Sequence, residues 1–225
     1  MEAWIFQVTA VALPAILAIT MHEAAHGFVA WRLGDDTAYR LGRVTFNPIR
    51  HIDPFGTVLL PALMYFTTGF VFGWAKPVPV NFARLDHPRR DMVWVALAGP
   101  GTNFLLAIAS AVLWRLVNPD NSTVELWIRS ACEVSVLVNV VLMVFNLIPL
   151  PPLDGGRVAV GILPDVLARP LAGLERFGML ILLAAIFLLP TLGRQIGVDL
   201  NVMTWVLGPP VDVVIDFIRV LTGND

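Results

Sequence analysis

The chain has 225 residues, 57% of them hydrophobic and only 14% charged, with a formal net charge of −2. Soluble domains run at about 45–50% apolar and about 25% charged, so a mean hydropathy of +0.75 names lipid as the solvent. The lack of a basic excess excludes a nucleic-acid binder, and the single cysteine, Cys132, excludes a disulfide framework or a multi-cysteine metal site.

A helix needs about 20 apolar residues to cross the hydrocarbon core. Five stretches approach that length without a charge: Ala3–Met21, Pro54–Ala75, Met92–Trp114, Val134–Leu153 and Phe177–Gly193. The first has Glu2 in place of a basic flank and no small-residue cleavage site, so it reads as a retained helix and not a signal peptide. Its pattern runs on to about Leu33, where Gly34 supplies a stop. Two charged connections, Arg32–Asp53 and Lys76–Asp91, carry the β-prone pieces Ala38–Phe46 and Pro77–Phe82. A sixth stretch, Leu200–Leu221, is weaker, because it holds Gly208-Pro209-Pro210 and then Asp212, Asp216 and Arg219 on one helical face. The expected fold is an all-α integral membrane protein. It is a polytopic bundle of about four to six segments in a single domain, with its core at about 3–160 and C-terminal membrane segments at about 171–222.

Chemistry gathers at two places. His22-Glu23-Ala24-Ala25-His26 puts two imidazoles one turn apart on one helical face, where both can reach one metal ion. Glu23 can then accept the proton of an activated water. Ionisable groups so deep in an apolar run are costly, and mark a functional site by default. The second place is Asn146-Leu-Ile-Pro-Leu-Pro-Pro-Leu-Asp154-Gly155-Gly156. Its prolines cannot continue a helix. Asp154, directly after them, is either a surface turn residue or the third ligand of the incomplete His22–His26 site.

Taken together, these motifs resemble the site-2 proteases, a family of intramembrane zinc metalloproteases. The resemblance spans roughly residues 15–160 and includes the small-residue stretch Ala98-Gly99-Pro100-Gly101-Thr102-Asn103. It implies His22, His26 and Asp154 as ligands of one catalytic Zn2+, Glu23 as general base and Asn146 as an oxyanion stabiliser. It also implies transmembrane or membrane-anchored protein substrates, cut in or near their membrane segments. With no inserted PDZ-like or nucleotide-sensing domain in view, the chain resembles the compact end of the family.

Two rival readings remain. Another membrane zinc peptidase would take Glu125, Glu133 or Glu175 as its third ligand. A transporter or scaffold would use broken helices to line an ion path. His51 beside Asp53 is expected to cap the next segment, with a hydrogen bond to a ligand as the alternative. Asn103 and Asn139 are expected to join helices, and Ala98, Gly99 and Gly101 to let helices approach. Pro77–Phe82 could receive an unwound substrate by strand addition.

Topology follows from parity. Both halves of the site lie toward the C-terminal ends of their helices, so those helices must run in the same direction, with an odd number of crossings between them. Two apolar runs lie between, so one must be re-entrant or a hairpin, and Pro54–Ala75 is the better candidate. The connections on both sides of it are basic, with Arg32, Arg40, Arg43 and Arg50 before and Lys76, Arg84, Arg89 and Arg90 after. This places both on the cytoplasmic face of the plasma or inner membrane.

Overall fold

The computed structural model describes residues 3–60, 63, 75–118 and 122–224. Among the described residues, four helices are long and apolar enough to cross a membrane: α1 (Ala3–Arg32), α3 (Pro88–Leu116), α4 (Thr123–Asn146) and α7 (Glu175–Ile196). Between and after them lie α2 (Thr37–Arg40), α5 (Asp154–Ile162), α6 (Asp165–Gly173) and α8 (Val202–Thr222). The all-helical membrane bundle expected from composition is what the chain forms.

Helix ends follow local chemistry. α1 stops where Gly34 takes φ +106°, a conformation that side chains disfavour. α3 starts with Pro88 in its first turn, and Asp91 turns back to accept the His87 N–H at 2.8 Å. Ser122 caps α4 by accepting the Glu125 N–H at 3.2 Å, within the pattern Ser-x-x-Glu. α4 closes at Asn146, earlier than the apolar run to Leu153, because Pro149, Pro151 and Pro152 cannot extend it.

Contacts fix the helix directions. His26 meets Val95 and His22 meets Asn103, so α1 and α3 are antiparallel. Asn103 meets Asn139 and Ser110 meets Ser135, so α3 and α4 are antiparallel as well. Trp127, near the start of α4, donates to Thr9 near the start of α1. α1 and α4 therefore run in the same direction, and among the described residues α3 is the one spanning-length helix between them. The Lys76 N–H bonds to the His51 carbonyl at 2.9 Å, so the chain returns to the place from which it left for the 54–75 stretch. A straight helix of those 22 residues would part its ends by about 33 Å. The flanks thus agree with the parity expectation; residues 61–62 and 64–74 lie outside the described ones.

Small residues let the helices close up. Ala107 and Ala111 of α3, Val140 of α4 and Val211 and Ile218 of α8 form one buried cluster. α8 continues through Pro209 and Pro210, and Asp212, Asp216 and Arg219 are exposed. Asp216 and Arg219 border a groove that Ala111 and Trp114 of α3 and Glu133 of α4 also line. α7 braces the proline loop: a Cβ on Gly178 would lie 1.8 Å from the Pro151 carbonyl oxygen.

The β-prone connections form no strand among the described residues. In the first, Thr37–Arg40 is helical, because Asp35 accepts the Thr37 N–H at 3.0 Å as well as the Thr37 hydroxyl. Such side-chain bonds offer the backbone an alternative to a ladder. The second is bound to its surroundings by single hydrogen bonds, described below.

Candidate metal centre

α1 carries His22 and His26 on one face, both buried. Their rings stand nearly perpendicular, at 85°, with centroids 4.6 Å apart. The loop after α4 turns back so that Asp154, the first residue of α5, meets them. Asp154 Oδ2 lies 3.2 Å from His22 Nε2 and 3.3 Å from His26 Nε2, and the two Nε2 atoms are 3.0 Å apart. Four ligands held about 2.0–2.1 Å from zinc in a tetrahedron stand about 3.3 Å from one another. The triangle has the dimensions of one face of that tetrahedron.

Protons settle which atoms can bind. His26 Nδ1 is 2.7 Å from the Val95 carbonyl oxygen, an acceptor only, so Nδ1 carries the hydrogen. Asn103 donates its amide to the Ala18 carbonyl at 3.3 Å, which turns its Oδ1 toward His22 Nδ1 at 2.6 Å. His22 Nδ1 must therefore carry a hydrogen too. Both neutral rings then present Nε2 lone pairs to each other and to a carboxylate oxygen that has no hydrogen-bond donor. Three converging lone pairs, buried together, repel unless a cation lies among them. The donor set of two imidazoles and a carboxylate fits zinc.

Glu23, half-buried beside His22, accepts the Val78 N–H through Oε2 at 2.7 Å. Asn146 stands at the last turn of α4 and gives one amide hydrogen to the Leu142 carbonyl at 2.9 Å. No described bond joins it to the cluster. Glu125 lies in the capped first turn of α4, Glu175 is 3.9 Å from Arg157, and Glu133 lines a groove by α8. None of the three joins the His22–His26 pair, and the third member of the cluster is Asp154. This removes the geometric basis of the glutamate-ligand rival.

Several expectations change. His51 does not cap the next segment: Asp53 does, accepting the Phe55 and Gly56 N–H groups at 3.0 and 2.7 Å. The buried His51 ring instead lies 3.0 Å from the Thr45 carbonyl oxygen. Gly99 does permit close approach, since a Cβ there would fall 2.4 Å from His26 Nε2, whereas Gly101 faces open space. Strand addition at Pro77–Phe82 has few donors to offer. The N–H groups of Val78 and Asn81 go to Glu23 and Asp35, and Pro77 and Pro79 have none. The links His22–Asn103, His26–Val95 and Glu23–Val78 are absent from the sequence reading. The one signal for the first was that Gly99 and Asn103 stand four apart, on a single face of α3.

The model of peptidase family M50 matches residues 115–189, the part that contains Asn146 and Asp154. A Bacillus subtilis (strain 168) protein described as "Putative zinc metalloprotease YwhC" is 38% identical over 172 residues, covering 75% of each chain. The chain belongs to peptidase family M50. Further relatives are described as "Putative zinc metalloprotease Rip2". The one from Mycolicibacterium smegmatis is 30% identical over 80% of this chain and 66% of its own length. The one from Mycobacterium tuberculosis (strain H37Rv) is 32% identical over 79% of this chain and 66% of its own. No solved structure matches the chain. Membership of M50 bears out the resemblance to site-2 proteases and makes the chain a membrane metalloprotease.

Proposed function

We propose that this chain is an intramembrane zinc endopeptidase, a single domain that cuts peptide bonds in or near the transmembrane segments of membrane proteins. His22, His26 and Asp154 hold one zinc ion. The observation that carries this reading is the buried triangle of three proton-free donor atoms, 3.0–3.3 Å on a side. When bound, zinc supplies Lewis acidity, polarising a scissile carbonyl and lowering the pKa of a water.

The chain's own residues do the rest. Glu23 takes a proton from the attacking water and passes it to the leaving amine. The Val78 N–H holds Oε2 of Glu23 and leaves Oε1 for this task. That backbone is itself held, because the buried Arg43 donates to the Lys76 carbonyl at 2.7 Å. Asn146 is the oxyanion donor. Its amide nitrogen has two hydrogens, of which Leu142 takes one. His22 lies ten residues before Arg32, about 15 Å along α1. With Arg32 at the interface, the site therefore sits well inside the hydrocarbon layer. The basic connections support a site that opens toward the cytoplasmic face of the cell membrane.

The test is direct. Detergent-purified protein is incubated with single-pass substrates, and the fragments are mapped by mass spectrometry. Wild type is expected to cut within or beside the membrane segment, and Glu23→Gln to lose cleavage. Undiminished cleavage by Glu23→Gln would overturn the mechanism, and cuts confined to soluble regions would overturn the intramembrane assignment.

A further inference from the structure

A line of buried polar side chains runs from the metal centre into the bundle. Asn103 is fully buried on α3 and touches both neighbouring helices. Its Oδ1 accepts from His22 Nδ1 at 2.6 Å, and its Nδ2 donates to the Ala18 carbonyl at 3.3 Å and to Asn139 Oδ1 at 2.8 Å. Asn139, also buried, donates to the Ser135 carbonyl at 2.9 Å and to the Ser135 hydroxyl at 3.2 Å. Ser110 completes the line with a 2.8 Å bond to Ser135.

Two backbone carbonyls set the sense of this line. The Ser135 carbonyl accepts only, so it fixes which atom of Asn139 faces Asn103. The Ala18 carbonyl fixes Asn103 in the same way. Both constraints agree, and together they leave one acceptor, Asn103 Oδ1, aimed at His22. Ala18 and His22 are one turn apart on α1, so Asn103 grips that helix at two points. A residue that only joined helices would need its bonds to Ala18 and Asn139. The bond to His22 is the shortest of the three, and it is the one that reaches a member of the candidate metal centre.

We propose that Asn103 is a positioning residue for the metal centre. Held by Asn139, it fixes the ring plane of His22 and keeps the hydrogen on Nδ1, so that the Nε2 lone pair points to the place shared with His26 and Asp154. The proposal rests on the metal reading above. Groups that orient a ligating histidine typically contribute 10–100-fold to metal affinity, and this one comes from a different helix than the ligand. Asn103 thereby makes the site depend on the packing of α3 and α4 against α1.

The experiment uses the full chain in detergent, as wild type, Asn103→Ala, Asn103→Asp and Asn139→Ala. Three readouts are taken: thermal unfolding, zinc affinity by chelator competition, and the visible spectrum of the cobalt-substituted protein. Asn103→Ala is expected to weaken zinc binding about 10–100-fold and to change the cobalt spectrum. Asn103→Asp keeps an acceptor for His22 Nδ1 and is expected to restore most of the affinity. Asn139→Ala is expected to give a smaller loss, and it reads the same link if the Asn103→Ala protein does not fold. Equal zinc affinity in all four proteins, with only the unfolding temperature lowered, would overturn the proposal while leaving the metal reading intact. A wild type that binds no zinc would overturn the metal reading and the proposal with it.

Discussion

Replacing Gly99 by alanine tests the geometry of the centre with one added methyl group. An alanine Cβ would lie 2.4 Å from His26 Nε2, 2.5 Å from His22 Cε1 and 2.6 Å from His22 Nε2. Ordinary carbon contacts need about 3.5–4.0 Å, so the overlap is about 1 Å on both rings at once. Neither ring can yield freely, because His26 is bonded to Val95 and His22 to Asn103. Overpacking of this kind costs about 1–3 kcal/mol. If the rings move apart to relieve it, the cost falls on metal binding. At about 1.4 kcal/mol per factor of ten, zinc affinity drops by about 5–150-fold. Gly101→Ala is the control, since its Cβ would meet nothing within 4 Å. It is expected to leave zinc affinity unchanged and to stabilise the helix by up to about 1 kcal/mol through propensity. The assay is chelator competition on both purified proteins, with thermal unfolding in parallel. Wild-type affinity in Gly99→Ala would refute the packing of α3 against His22 and His26.

Other consequences follow from the same contacts. Gly178→Ala would drive a Cβ to 1.8 Å from the Pro151 carbonyl oxygen, so unfolding temperature and zinc content are both expected to fall as the loop that carries Asp154 shifts. Arg43→Met leaves the Lys76 carbonyl without its donor, a loss of about 1–3 kcal/mol; cleavage is expected to slow while zinc content holds, and loss of zinc would contradict the reading that Arg43 acts through Val78 and Glu23. Cysteines placed at positions 40 and 86, after replacement of the buried Cys132, are expected to be labelled from the same face of the membrane, and labelling from opposite faces would refute the parity argument. Saturating zinc at about 100 times its Kd is expected to stabilise the wild type by about 2.7 kcal/mol, and no shift in unfolding on adding zinc would argue against a cation among the three donors.

The residues that form the candidate site stood out in the sequence because they are types that lipid penalises. Two histidines four apart with a glutamate between them, and an aspartate after a proline break, stand out against an apolar background. Parity then required the helices carrying them to be parallel, as α1 and α4 are. What the sequence could not show was which residues face each other across helices. Asn103 read as a helix-joining amide, and only the register of α3 against α1 brings its oxygen to His22. The Val95 carbonyl and the Val78 N–H carry no side-chain signal at all. Local competition explains the connections: Asp35 and Asp53 bind nearby N–H groups and so replace the expected strand and the expected histidine cap. The prolines at 209 and 210 looked like breakers, yet α8 continues through them, packed on α3 and α4 through Val211 and Ile218.

The central claim is that His22, His26 and Asp154 together hold the catalytic metal. Zinc content by mass spectrometry, on wild type, Asp154→Ala and Glu175→Ala purified alike, tests it most directly. One zinc per chain is predicted in the wild type and in Glu175→Ala, with little or none in Asp154→Ala. Full zinc in Asp154→Ala, or its loss in Glu175→Ala, would contradict the account.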